Sequence, residues 1–332
     1  MRIVIFTPNC KVIQDLYMDL NLYQRLETDN CNLNKLLSSL PSTHYKVYKI
    51  PKRTIGFRTI AQPTSEIKDI QRKIIEILSP KVQLHPIATA YIKGQSIKSN
   101  ALKHVNSEFL MKIDLENFFN SINPEMLMKA LSKQKVEISS EDEKILRELL
   151  FWNRSKRING KVVLSVGAPS SPFISNLIMY EFDSKLESMC TKRKVICTRY
   201  ADDLTFSTCD KGELFSLLPE IRKLLYRTFG NRLVVNDSKT VFSSKKHNRH
   251  VTGITLTNSN RLSIGREKKR YISALIHKFK NKKLDEQDIM HLKGLLSYAV
   301  HIEDIFVHRM GKKYGYETLE AIKKFSLGEC NE

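Results

Sequence analysis

The chain has 332 residues, 41% of them hydrophobic, enough for one elaborate fold or two to three packed subdomains with a real core. Its formal charge of +20 is far from what a small-metabolite enzyme needs and points to a polyanionic partner, nucleic acid before membrane, since apolar stretches such as Phe173 to Met179 are too short and interrupted to span a bilayer. Six cysteines (Cys10, Cys31, Cys190, Cys197, Cys209 and Cys330) lack zinc-holding pairs, and no His-Glu-x-x-His helix or Gly-rich phosphate loop occurs, which argues against zinc hydrolases, kinases and P-loop ATPases.

In chain order, the first fifty residues carry no usable signal. From Ser65 to Leu78, Ile67, Ile70, Ile74, Ile77 and Leu78 recur at helical spacing between Pro63 and Pro80, predicting an amphipathic helix. Phe109 to Asp114 reads as a buried strand. Ser140-Glu141-Asp142-Glu143 has the form of a capping box opening a helix through Leu150, and Pro172 starts a helix carrying Ile174, Leu177, Ile178, Phe182 and Leu186. Val195 to Tyr200 and Leu204 to Ser207 are β-prone runs flanking Ala201-Asp202-Asp203, an acidic hairpin turn. A helix from Glu213 to Phe229 should close at Gly230 in a left-handed conformation. β-prone pieces come next at Leu233 to Val235 and His250 to Thr257, the latter turning through Asn258-Ser259-Asn260 into Arg261 to Ile264, and the remainder is helical. Without repeats, linkers or regular strand–helix alternation, this is an α+β core followed by an α-helical carboxy-terminal part. The amino terminus has no basic segment followed by a long apolar one, so no export signal is read and a cytoplasmic protein with reduced thiols is expected.

Nucleotidyl transfer with two magnesium ions needs carboxylates from separate strands that hold the cations about 3.5–4 Å apart. Asp114 ends an apolar strand and Asp202-Asp203 occupy a hairpin tip, so neighbouring strands would bring the three together. A strand-end Asp can equally be a cap, and an Asp-Asp turn can be merely solvated. The specific signal is Tyr200-Ala201-Asp202-Asp203 between β-prone runs, preceded by Asp114 with Phe118 and Phe119 just downstream.

Tyr200-Ala201-Asp202-Asp203 resembles the third palm motif of reverse transcriptases, and Ile113-Asp114-Leu115-Glu116-Asn117-Phe118-Phe119 resembles the first. The resemblance implies a right-hand polymerase with an antiparallel palm sheet and a helical thumb: fingers and amino-terminal region over 1–106, palm over 107–260, thumb and RNA-binding region over 261–332. It implies Asp114 and Asp202 as metal ligands, Asp203 completing the cluster, and Phe119 as the ring that clashes with a 2′-hydroxyl and selects deoxynucleotides; Phe118 and Phe119 could instead both be core. Arg58-Thr59-Ile60-Ala61-Gln62-Pro63 resembles the fingers motif whose arginine reaches the triphosphate. Lys52 either contacts phosphate or sits in a solvated turn. Gly167-Ala168-Pro169-Ser170-Ser171-Pro172 resembles the loop beside the nascent base pair, with Ala168 as a nucleotide contact, although Ser165-Val166 stand where many relatives have Pro-Gln. Asn236-Asp237-Ser238-Lys239 resembles the next motif, which makes Lys239 either a triphosphate contact or a surface lysine.

Asn100-Ala101-Leu102-Lys103-His104 and Val251-Thr252-Gly253 resemble two elements of bacterial retron reverse transcriptases, implying RNA contacts at Asn100, His104, Val251, Thr252 and Gly253. That family copies part of a structured noncoding RNA of its own locus from a 2′-hydroxyl of a guanosine, leaving branched RNA–DNA. The resemblance implies as partners this RNA and its product, deoxynucleoside triphosphates and an effector or toxin of a phage-defence unit. From Lys239 to Lys283 there are thirteen Lys or Arg against one acidic residue, Glu267. Within this stretch Lys268, Lys269 and Arg270 open a predicted helix and are candidate RNA contacts. Two other readings stay open: a group II intron-like or abortive-infection reverse transcriptase, and a non-catalytic RNA-binding scaffold.

Overall fold

The residues around Arg58 form an extended ribbon in the computed structural model, which describes residues 20–27, 32–52 and 56–326. β1 (Tyr45–Pro51) and β2 (Phe57–Pro63) pair antiparallel, with Ile50 opposite Arg58 and Val47 opposite Ala61. The predicted buried strand is β3 (Phe109–Leu115), and β4 (Trp152–Asn153) pairs with β5 (Val162–Val163). β6 (Ile196–Tyr200) and β7 (Asp203–Thr208) form the acidic hairpin, and β8 (Val235–Ser244) completes a sheet of order β6-β7-β3-β8. Its strands are antiparallel. Leu115 N–H donates to the Asp202 carbonyl and Glu108 N–H to that of Thr208, so β3 and β7 run in opposite directions.

Helices fall largely where apolar periodicity puts them. The Ser65–Leu78 helix has the predicted bounds and buries Ile67, Ile70, Ile74 and Leu78. The Ser140–Leu150 helix is capped one residue earlier than the capping-box reading: the reciprocal pair is Ser139 with Asp142, because Asp142 occupies the third helical position. Asp142 also accepts from Leu22 N–H at 2.7 Å, tying in the short Leu22–Leu26 helix. The Ser171–Lys192 helix, with Pro172 in its first turn, buries Ile174, Leu177, Ile178, Phe182 and Leu186 together with the polar side chains of Ser171, Ser175, Asn176 and Asp183. The Glu213–Phe229 helix is followed by Gly230 at φ 62°, as expected.

Two strand readings need correction. The strand expected over Leu233 to Val235 starts only at Val235 and continues through Asn236-Asp237-Ser238-Lys239 to Ser244, because sheet pairing overrides the low strand propensity of Asn, Asp and Ser. The run His250 to Thr257 is not one strand. It is β9 (Arg249–Val251) and β10 (Ile254–Leu256), joined by Thr252 and Gly253 at φ 48° and 80°, a two-residue turn of the kind that fits strand twist. β11 (Leu262–Ser263) then pairs with β10.

Beyond β11 the chain is mostly helical, with helices over Arg266–Lys280, Glu286–Tyr314 and Tyr316–Lys324. The long one breaks at Glu303 (φ −146°, ψ 74°), whose carboxylate accepts from Ile264 N–H at 3.1 Å and from Lys269 Nζ at 2.6 Å.

Contacts divide the chain into two units, both discontinuous in sequence. The first comprises 1–92, 113–204 and 215–240; the second comprises 93–112, 205–214 and 241–332. The second has its own core, in which Val251, Ile254, Ile272, Ile276, Leu292 and Leu296 are buried together. The architecture is α+β with antiparallel sheets, as the sequence predicts. No helix among the described residues is long and apolar enough to cross a membrane. Cys190, Cys197 and Cys209 are free thiols, while Cys10, Cys31 and Cys330 lie outside the described residues.

Candidate active site

Asp114 sits in β3 between the buried residues Ile113 and Leu115, so strand alternation turns its half-buried carboxylate away from theirs. Across the ladder, Leu115 N–H donates to the Asp202 carbonyl at 3.1 Å, fixing the register that sets Asp202 beside Asp114. Ala201 makes the turn at φ 58°, and Asp203 opens β7. Burial first, then the charges of Asp203 and Asp114, push the Asp202 carboxyl up to about 6, against a backbone hydrogen bond and Lys239. Lys239 comes from the unexpected strand β8. Its Nζ donates to both oxygens of Asp114, at 3.0 and 2.9 Å, and Asn236 Nδ2 donates to Oδ2 at 3.3 Å.

The donor set suits a hard divalent cation: carboxylates crowded enough that the charges of Asp203 and Asp114 raise the proton affinity of Asp202, with Asp114 paired to an ammonium. They are not drawn into a ready cage. Among the described residues no three His, Cys, Asp or Glu side chains stand close enough to hold a metal ion.

The two phenylalanines part ways. Phe118 is 3% exposed and belongs to the core, whereas Phe119 lines a cavity of about 380 Å³. The loop from Ser165 to Pro172, including Ala168, lines the same cavity. This loop is pinned to the ribbon by Ala61 N–H donating to the Val166 carbonyl at 3.0 Å. At Gly167 (φ +118°) a Cβ would lie 3.2 Å from the Ala61 carbonyl oxygen, so both conformation and space require glycine. The hydroxyls of Ser165 and Ser171 in this loop are buried without a hydrogen-bond partner. Arg58 is exposed on β2, and Lys52 is exposed beyond the end of β1.

Sequence reasoning missed a buried network behind the turn. Arg199, wholly inaccessible, donates through Nε to Asp183 Oδ1 (2.9 Å) and through Nη1 to Asn176 Oδ1 (2.9 Å) and the Ala201 carbonyl (3.2 Å). Burial pushes the Asp183 carboxyl up against the opposing pull of Arg199. Nothing in the sequence marks this arginine, because a charged residue in a short strand looks like a solvated one. Tyr91, another cavity-lining residue, was also missed.

In the second unit the expected RNA contacts divide. Asn100, His104 and Val251, expected as RNA contacts, are completely buried, which withdraws their side chains from the surface. His104 Nδ1 meets Ser207 Oγ at 2.7 Å, and burial, aided by Lys103, lowers its pKa to about 3. Thr252 and Gly253 occupy the hairpin turn, Gly253 exposed and Thr252 Oγ1 directed at the Ile97 carbonyl (3.4 Å). Lys268, Lys269, Arg270 and Gly253 line an open groove of about 1060 Å³ with Lys245, Lys246, His247, His250 and Arg266. Lys269 is committed to Glu303, and Lys268 lies 4.8 Å from the centre of the Tyr298 ring.

A family model described as reverse transcriptase (RNA-dependent DNA polymerase) matches residues 50–256. This is the class that the acidic hairpin and its neighbouring strand define. The chain is 53% identical over 311 residues to the retron Ec83 reverse transcriptase of Escherichia coli, covering 94% of this chain and 100% of that protein. To the retron Ec86 reverse transcriptase of the same organism it is 30% identical over 308 residues, covering 87% and 88%. The chain therefore belongs to the reverse transcriptase family, among the bacterial retron enzymes, and is an RNA-directed DNA polymerase. Among solved structures, telomerase from Candida albicans in complex with a fragment of telomeric RNA aligns at 14% identity with a TM-score of 0.47, over 88% of this chain and 57% of that one. A foamy viral protease–reverse transcriptase in complex with double-stranded DNA aligns at 14% identity and 0.44, over 84% and 44%. The chain thus spans only about half the length of these two.

Proposed function

We propose that this enzyme copies part of a structured noncoding RNA of its own locus into DNA, extending from a 2′-hydroxyl to give branched RNA–DNA, in the cytoplasm and as part of an antiphage unit with an effector protein. The observation that carries the reading is the grouping of Asp114, Asp202 and Asp203 on the neighbouring strands β3 and β7 and their turn, in a chain whose Phe119 and Ala168 line one cavity. Asp114 and Asp202, completed by Asp203, would hold two magnesium ions, which when bound supply positive charge to the reacting phosphate. Arg58, from the ribbon, would bind the triphosphate in a planar fork, with Lys52 as a second cation. Phe119 would exclude a 2′-hydroxyl, the Gly167–Ala168 backbone would pack on the nascent base pair, and Lys239 would exchange its partner Asp114 for phosphate when substrate enters. Fingers over 1–106, palm over 107–260 and thumb over 261–332 is the division this reading favours.

The RNA would be held in the basic groove. Lys268 and Arg270 would supply phosphate contacts, and the Thr252–Gly253 turn a shape-specific one. Asn100, His104 and Val251 would act by supporting that surface from beneath. Sequencing nucleic acid co-purified with the expressed locus tests the whole: a branched molecule with DNA joined to an internal guanosine is expected. Only linear RNA or unrelated RNA would sink the reading.

A further inference from the structure

Tyr91 belongs to none of the sequence motifs that mark the site, yet the fold holds it in an unfavourable backbone conformation. Its φ of 62° lies in the left-handed region that bulky residues avoid, and 55% of its surface is exposed. The chain just before it is pinned from within. Thr89 N–H donates to the Arg199 carbonyl at 2.8 Å, and Asn176 Nδ2 donates to the Ala90 carbonyl at 3.0 Å. Asn176 in turn accepts from Arg199, which is locked to Asp183. A buried polar network thus sustains local strain that keeps an aromatic ring at the surface.

That ring forms part of the wall of the cavity that also holds Phe119, Gln62, Gly167 and Ala168. Burial first, then the charge of Asp202, raises the proton affinity of its hydroxyl, and the Arg58 guanidinium opposes this.

We propose that Tyr91 is a substrate-contacting, specificity-determining residue: its ring packs against the nucleoside part of the incoming deoxynucleoside triphosphate. The inference rests on the cavity being the nucleotide site. What the site needs from position 91 is a flat apolar face, and the hydroxyl is dispensable. The strained backbone fixes where that face stands before substrate arrives.

The test is primer extension by the full chain on an annealed primer and RNA template, with deoxynucleotide concentration varied. Tyr91→Gly removes the ring while suiting a left-handed backbone, so folding is not at risk, and a thermal midpoint no lower than wild type verifies this. Tyr91→Gly should raise KM for the nucleotide by about tenfold or more with kcat within about threefold, while Tyr91→Phe stays within about twofold of wild type in both. An unchanged KM in Tyr91→Gly overturns the proposal. So does weakened primer–template binding at unchanged KM, which would put the ring on the template. If Tyr91→Phe matches Tyr91→Gly, the hydroxyl acts and not the face, and the proposal again fails. Phe119→Ala, assayed in parallel for ribonucleotide incorporation, separates the two readings. A response there without one at Tyr91 leaves the site standing and the Tyr91 inference refuted; no response at either position refutes both.

Discussion

Around Asp114 and Asp202 charges are few, partly or wholly withdrawn from water, and individually partnered: Lys239 with Asp114, Arg199 with Asp183. Along the groove of the second unit they are many and mostly open to solvent, with Lys269 the exception through its bond to Glu303. The first arrangement makes each charge irreplaceable, because in a poorly solvated site the loss of one partner strands the other. The second spreads attraction over several cations, each contributing a small, salt-screened share. Chemistry on phosphate needs the former, and holding a long polyanion needs the latter.

The contrast can be broken most sharply at the carboxylates. Asp202→Asn and Asp114→Asn should each cut magnesium-dependent DNA synthesis beyond about 10⁴-fold, more than about 5 kcal/mol in the barrier, while RNA binding in a filter or gel assay stays near wild type. Equal loss of binding would mean that the two kinds of charge are not separable. Next comes the buried pair. Asp183→Ala leaves a guanidinium without a counter-charge and should cost about 3–5 kcal/mol of stability in denaturant melts. A loss under about 1 kcal/mol would show the pair to be solvated after all.

Smaller effects probe single residues. Phe119→Ala should raise ribonucleotide incorporation by about tenfold to a hundredfold in a competition assay, and Phe118→Ala should lower stability without altering that choice. The second unit hides one titratable group of its own, His104, which unfolded would have a pKa near 6.5. Because its folded pKa is lowered to about 3, the unfolded chain binds the extra proton first as pH falls. This contribution to stability is intact above about pH 6.5 and declines by up to about 1.4 kcal/mol per pH unit toward pH 3. Unfolding midpoints of wild type and His104→Gln should therefore converge on acidification, and parallel curves would show that burial does not lower the pKa of the folded imidazole. The smallest expected effect belongs to the exposed cations. Arg270→Ala should weaken binding to any RNA and reduce the slope of log affinity against log salt by about 0.7–0.9, whereas Lys269→Ala should change stability more than slope.

Much of the fold was legible from the sequence where one local signal dominates. The helix from Ser65 to Leu78 has its predicted ends because an isoleucine stripe and two flanking prolines agree. The acidic turn was equally plain, since β-prone runs bracket Ala201 and Asp202. Legibility failed where partners distant in sequence decide. Strand β8 includes Asn236-Asp237-Ser238-Lys239 only because a sheet edge was there to receive it. Arg199 and Asp183 are both fully buried, and no local pattern distinguishes them from surface charges. Asn100 and His104 were recognised as a pair by resemblance, but resemblance could not say that they face inward.

The bond between Ala61 N–H and the Val166 carbonyl bears on how this loop can change over generations. Every amino acid supplies the same carbonyl, so the hold of the ribbon on the loop is indifferent to the side chain at position 166. Gly167, one residue on, has no such licence, with the Ala61 oxygen facing its α-carbon. Drift is thus permitted at 166 and forbidden at 167, and a lineage can exchange glutamine for valine beside the cavity while inheriting its scaffold unaltered.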